Sequence, residues 1–171
     1  LSHKMLEEAT KRNNSPHIEY KCMAIEDFDY IPESYDIVIS SLTFHYLELF
    51  PDICKKVHRC LTPGGTFVFS VEHPVFTAYG SQDWFYDKQR NILHWPVDRY
   101  FSEGKREAIF LGENVTKFHK TLTTYVNGLI QNGFEITGLV EPEPDKTLLD
   151  SIPGMRDELR RPMMLIIAAI K

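Results

Sequence analysis

Two short polar clusters in this sequence set reactive side chains close together. The first is Ser40-Ser41-Leu42-Thr43-Phe44-His45-Tyr46 and the second is Glu72-His73-Pro74. Glu72 beside His73 sets a carboxylate next to an imidazole, a pair suited to general acid/base work near neutral pH. Adjacent residues on a strand point to opposite faces, so only the turn at Pro74 could aim both at one substrate. Otherwise one of them is buried and structural. His119, between Phe118 and Lys120, could enter the same space from another segment, or stand as a half-exposed strand residue. None of the seven histidines has HExxH or paired-ligand spacing, so no metal site is expected. Cys22, Cys54 and Cys60 are odd in number and irregular in spacing. They read as reduced thiols in a cytoplasm, packed in the core.

The elements around the clusters explain their placing. Asp36-Ile37-Val38-Ile39 is an apolar, β-branched run, as a strand covered on both faces requires, and it empties into the first cluster. Thr66 to Val71 is a second such strand and empties into the other. Between them Pro51 and Asp52 open a helix that runs to about Leu61, stopped by Thr62-Pro63-Gly64-Gly65. Strand, helix, strand is the half-unit of a doubly wound α/β sheet, whose ligand crevice lies at the carboxyl ends of the strands. Both clusters should therefore open on one crevice. Elsewhere Ser2 caps a helix to about Asn13, and Ile18 to Met23 alternates like a strand. Thr121 to Asn132 reads as a helix, and Phe134 to Val140 and Met163 to Ile170 as strands.

The stretch from Pro74 to about His119 differs. It holds Phe76, Tyr79, Trp84, Phe85, Tyr86, Trp95, Tyr100 and Phe101, with a hairpin around Leu111 to Asn114 whose turn residues fix neither type nor register. So aromatic a segment reads as a cap over the crevice, inserted at 74–120 in one domain spanning 1–171. The chain has 171 residues, 43% hydrophobic and 25% charged, enough for one core. Its net charge of −5 argues against non-specific binding of nucleic acid or acidic lipid. No apolar run is long enough to span a bilayer.

These residues resemble the Rossmann-like (class I) S-adenosylmethionine-dependent methyltransferases, most closely the small-molecule type. Ser2-His3-Lys4-Met5-Leu6 is similar to the family's D-L-S-x-x-M-L, and Phe28 through Ile39 to L-P-F…F-D-x-V. Ser41 to Tyr46 resembles S-x-x-x-H-[HY], and Leu61-Thr62-Pro63-Gly64-Gly65-Thr66-Phe67 resembles L-x-P-G-G-x-[FL], the most specific phrase. The last two strands look like the family's closing antiparallel pair. The resemblance spans Leu1 to about Pro74 and Thr121 to Lys171, leaving the aromatic insertion outside. It implies a three-layer sheet, mostly parallel with the last strand antiparallel, and S-adenosyl-L-methionine as cofactor. By position, Ala24, Ile25 and Glu26 fall where the family touches adenine, with Ala24 standing where an Asp is common. Ser40, Ser41, Leu42 and His45 fall beside the amino-acid half of the cofactor. His73, Glu72 and His119 are then candidates to deprotonate a small-molecule acceptor. Tyr79, Trp84, Phe85 and Tyr86 could turn ring faces to the sulfonium, or simply pack.

One departure is large. The family's glycine-rich loop and the acidic residue after its second strand have no counterpart here. Gly64-Gly65 lies between helix and strand, the wrong context for a cofactor loop. The expectation is therefore a truncated domain with N-terminal strands missing. An inactive fragment, acting as a binding module through an exposed sheet edge, is the alternative. A nicotinamide dehydrogenase would need G-x-G-x-x-G after a strand, which is absent. A homodimer stays open.

Overall fold

Ser2 begins the first helix as its residue type suggests: its hydroxyl accepts from the Met5 amide at 3.3 Å and caps α1 (His3–Arg12). The computed structural model describes residues 2–171, which divide into one unit ending at Ile31 and a second from Pro32 to Lys171. In the first unit, the Tyr20 hydroxyl donates toward the carbonyls of Ala9 and Asn13, at 3.2 and 3.1 Å, and ties off the end of α1. Residues 18–23 form no strand, contrary to the expectation. Alternation assigns faces, but a strand also needs a ladder partner, and the described residues supply none. A 3-10 turn follows at Ile25–Asp27.

The second unit is built on a four-stranded sheet. Its strands are β1 (Tyr35–Ser41), β2 (Leu61–Glu72), β7 (Glu135–Val140) and β8 (Met164–Ile170), in the order β1-β2-β8-β7. β1 and β2 are parallel, and β8 runs antiparallel to both β2 and β7. Three strands thus share a direction and the last opposes them, as the sequence implied. β2 begins at Leu61, earlier than expected. The Pro63-Gly64-Gly65 stretch is a bulge within it, and the register with β1 jumps from Tyr35↔Leu61 to Ile37↔Thr66. Gly64 sits at φ +79°, and a Cβ on Gly65 would lie 2.8 Å from the Thr62 carbonyl oxygen.

Helix α2 (Phe50–Cys60) joins β1 to β2 and turns Phe50, Ile53, Cys54, Val57 and Cys60 inward, an i, i+3, i+4, i+7 stripe. With α4 (Leu122–Ile130) it covers one sheet face. Phe50 lies 5.3 Å from Phe69 and 4.9 Å from Tyr125, centroid to centroid. Gly128 permits the approach, since a Cβ there would meet the Phe50 ring at 3.1 Å. Each such buried ring contributes roughly 1.5–3 kcal/mol. On the opposite face of β1, Ile37 and Ile39 are 60% and 74% exposed.

Between β2 and α4 lie α3 (Pro74–Thr77), the short pair β3 (Phe85–Tyr86) and β4 (Ile92–His94), and the hairpin β5 (Gly104–Phe110) and β6 (Glu113–His119). The hairpin turns on Leu111 and Gly112, both at positive φ, the two-residue turn that matches strand twist. Buried Arg106 fastens it to the preceding segment by donating to the carbonyls of Ala78 at 3.0 Å and Ser102 at 2.6 Å. Among the described residues no helix is long and apolar enough to cross a membrane, and no group of three or more His, Cys, Asp or Glu could hold a metal ion.

Candidate functional site

The tips of β1 and β2 end side by side, Ser41 opposite Ser70. Leu42 then turns the chain at φ +52°, a left-handed conformation that costs a non-glycine residue roughly 1–2 kcal/mol. Its amide donates to the Ser70 carbonyl at 2.9 Å and lies 3.2 Å from Ser70 Oγ. Such strained residues gather at functional sites. Ser41 Oγ and Ser70 Oγ stand 3.5 Å apart on the open face. Ser40 Oγ is buried with no hydrogen-bond partner among the described residues.

His45, 2% exposed, bridges the two tips: the Glu72 amide donates to its Nδ1 at 3.3 Å. That bond leaves the proton on Nε2. Burial pulls its pKa down to about 4, with Lys117 and Lys120 adding to the effect and the Glu72 carboxylate opposing it. His45 is therefore a neutral imidazole, and its ring lies 4.3 Å from that of Tyr46.

The Glu72 carboxylate is held on both oxygens. Lys117 Nζ donates to Oε1 at 2.6 Å and Gln82 Nε2 to Oε2 at 2.8 Å, while Lys117 also donates to Gln82 Oε1 at 2.7 Å. The three side chains form a closed ring, with Lys117 only 2% exposed. His73 points elsewhere, as strand alternation requires. Its Nδ1 accepts from the Val75 amide at 3.0 Å and caps α3, and its Nε2 lies 2.7 Å from Glu141 Oε1. Burial lowers its pKa, opposed by Glu141. His119 is fully buried between Thr77 Oγ1 and the Tyr100 carbonyl, both at 2.8 Å. The carbonyl can only accept, so Nε2 carries the proton and Nδ1 takes the threonine hydroxyl's. Burial lowers this pKa as well.

The structure thus gathers Ser40, Ser41, Leu42, His45 and Glu72 at one end of β1 and β2. His73 adjoins them facing Glu141, and His119 is enclosed by Thr77 and Tyr100. Ala24, Ile25 and Glu26 stand at the 3-10 turn of the first unit, where the Ile25 carbonyl accepts from the Tyr30 hydroxyl at 2.9 Å. Of the four rings expected to face a cation, Trp84 and Tyr86 do, and the cations are the chain's own arginines. The Arg161 guanidinium lies 4.3 Å from the Trp95 ring centroid, 4.7 Å from Phe76 and 5.1 Å from Trp84. Tyr86 faces Arg90 at 5.8 Å and Phe85 stacks on His94.

The sequence reading missed Lys117, Gln82 and Lys120. Lys120 is buried, and its ammonium donates to the carbonyls of Phe44, Leu47 and Phe118 behind the His45 turn. Burial lowers its pKa to about 8, against the pull of Glu103 and Glu48. One signal was present: Val115, Lys117 and His119 share a strand face, and a lysine on an inward face calls for an acid.

Comparison with known proteins adds identity to this geometry. Residues 1–69 match the family model of a methyltransferase domain. The whole chain aligns with an uncharacterised Haemophilus influenzae protein at 32% identity over 182 residues, spanning 70% of that relative. Two solved structures match over its full length. A Listeria monocytogenes protein assigned to the S-adenosylmethionine-dependent methyltransferases shares 54% identity at a TM-score of 0.95, with 77% of its chain covered. An S-adenosylmethionine-dependent methyltransferase of Mesorhizobium loti shares 36% at 0.89, with 78% covered. These likenesses favour an enzyme over the interaction-module reading.

Proposed function

The chain belongs to the class I S-adenosylmethionine-dependent methyltransferases, and on that premise we propose that it methylates a small molecule at the tips of β1 and β2. The cofactor is S-adenosyl-L-methionine, which when bound supplies an electrophilic methyl group on a sulfonium sulfur. The residues present fit a polar ligand at β1: a buried hydroxyl without a partner on Ser40, paired hydroxyls on Ser41 and Ser70, and a strained turn at Leu42. We assign Ser40, Ser41 and Leu42 to the amino-acid end of the cofactor; for Ala24, Ile25 and Glu26, in the first unit, an adenine contact rests on the family resemblance alone. His45, both bonded and buried, holds the Leu42 turn against Glu72.

The chain's main contribution is alignment. Fixing two reactants in a near-attack geometry can lower a barrier by several kcal/mol without any proton transfer. Both oxygens of Glu72 and both ring nitrogens of His119 are engaged within the protein, and His73 accepts at Nδ1 from the Val75 amide. In this reading Glu72 is a fixed charge and His119 a positioning residue. His73, whose partner Glu141 is exposed, is the one placed to pass a proton to solvent. The observation that carries the proposal is the strained Leu42 turn locked to Ser70 beside an unpartnered Ser40.

Titration calorimetry of the full chain with S-adenosylhomocysteine tests it. Saturable heat is expected, weakened about tenfold or more by Ser41→Leu at an exposed position. Absence of heat at millimolar ligand would overturn the assignment. With labelled S-adenosylmethionine and a panel of small acceptors, His119→Gln should lower turnover without moving the pH profile, whereas His73→Gln should move it.

A further inference from the structure

We infer that the hollow between Trp84 and the loop joining β7 to β8 is the acceptor pocket, and that it takes a compact apolar molecule bearing a protonated amine. The inference rests on the methyl-transfer reading for the word acceptor. The hollow has a volume of about 580 Å³, within the range of small-molecule sites. Its position follows from the sheet register. Met163 and Met164 line it; Met164 pairs with Glu72 across β2 and β8, and the Met163 carbonyl accepts from the His73 amide at 2.9 Å. The hollow therefore opens at the tip of β2. Trp84, on its other wall, stands two residues beyond Gln82, which grips Glu72.

Its chemistry is two-sided. Trp84, Ile92, Met163 and Met164 offer an indole, an aliphatic chain and two adaptable thioethers to an apolar body. The charged side chains lining it are all carboxylates: Glu143, Asp157 and Glu158. Two of these are already balanced. Asp157 pairs with Arg160 at 3.0 Å and Glu158 with Arg161 at 2.8 Å. Those guanidiniums lie over the Trp84 ring and do not line the hollow. Glu143 has no ion pair or hydrogen bond among the described residues. One uncompensated negative charge beside an apolar wall attracts a cationic head and repels an anionic one. The amine is the anchor, and the accepting atom lies elsewhere on the molecule.

The test compares phenylbutylamine, phenylbutanol and phenylbutyrate, which share a body and differ in head-group charge. Binding to the full chain is read from the emission of its two tryptophans, Trp84 and Trp95. The expected order is amine, then alcohol, then acid, with the amine's advantage screened by salt. Glu143→Gln should reduce the amine to the affinity of the alcohol, a loss of about tenfold, and leave the alcohol unchanged. Trp84→Phe should remove most of the signal. Acid binding as tight as amine binding, no saturable response to any probe, or an unaltered amine affinity in Glu143→Gln would each overturn the assignment. S-adenosylhomocysteine binding by the same preparation separates the two readings. Amine binding without it overturns methyl transfer and leaves the pocket's chemistry standing, while its presence without amine binding overturns the pocket alone.

Discussion

Replacing His45 with asparagine should flatten the acid side of the stability curve. The folded protein keeps His45 neutral, with a pKa of about 4 against an ordinary 6.5, because burial penalises the imidazolium and Lys117 and Lys120 repel it. The unfolded chain takes up a proton near 6.5. Between those two values the unfolded state therefore binds one more proton at this site, and stability rises with pH. The contribution is complete above 6.5 and is lost as pH falls toward 4. At about 1.4 kcal/mol for each pH unit, the interval is worth about 3 kcal/mol. His73 and His119 are lowered too and add to the wild-type slope, so the difference between proteins isolates His45. Asparagine suits the purpose because its amide oxygen can replace Nδ1 as acceptor for the Glu72 amide without titrating. Urea unfolding at stepped pH from 6.5 to 4.5 would give the slopes. His45→Asn should lose stability overall, through lost packing on Tyr46, yet change less with pH by about 1.4 kcal/mol per unit. Parallel slopes, or an NMR titration placing His45 near 6.5, would refute the reasoning.

Lys117→Met should destabilise by about 3–5 kcal/mol, because it leaves Glu72 charged and buried with only Gln82 as partner. Adding Glu72→Gln should restore part of that loss, and the double-mutant cycle in urea measures the coupling. Gly64→Ala and Gly65→Ala separate two kinds of glycine. The first has open space but φ +79°, and should cost about 1 kcal/mol. The second would drive a Cβ to 2.8 Å from the Thr62 carbonyl and 3.1 Å from that of Asp36, and should cost more, read as a larger drop in Tm. With a disulfide reagent at mild alkaline pH, half-buried Cys22 should react in the native protein. Cys54, whose thiol burial pushes up to about 12, should wait for unfolding, as should buried Cys60.

How far the sequence discloses this molecule depends on the range of the interactions involved. The β1–α2–β2 unit was legible because its signals are local: a β-branched run, a proline at the first helical turn and a glycine pair. The same local reading failed at residues 18–23, because alternation specifies which side chains share a face and a ladder depends on a neighbour. The hairpin turn was ambiguous for a related reason. Leu111-Gly112 carries only one residue suited to positive φ, and pairing along the hairpin completes what the turn leaves open. At the site, the placing of Glu72 and His73 at a strand tip was local information, but their partners were not. Lys117 lies 45 positions from Glu72, and Glu141 lies 68 from His73. That arrangement itself bears on function. A buried lysine–glutamate pair gains less than well-packed apolar side chains of the same volume commonly would. Here a glutamine completes the ring, and a neutral histidine receives the amide of the same glutamate. A fold under selection for stability alone has little use for a charge fixed so firmly at the mouth of a strand pair. One that must hold two reactants in register does, because the hairpin, the β2 tip and the Leu42 turn then move as one body.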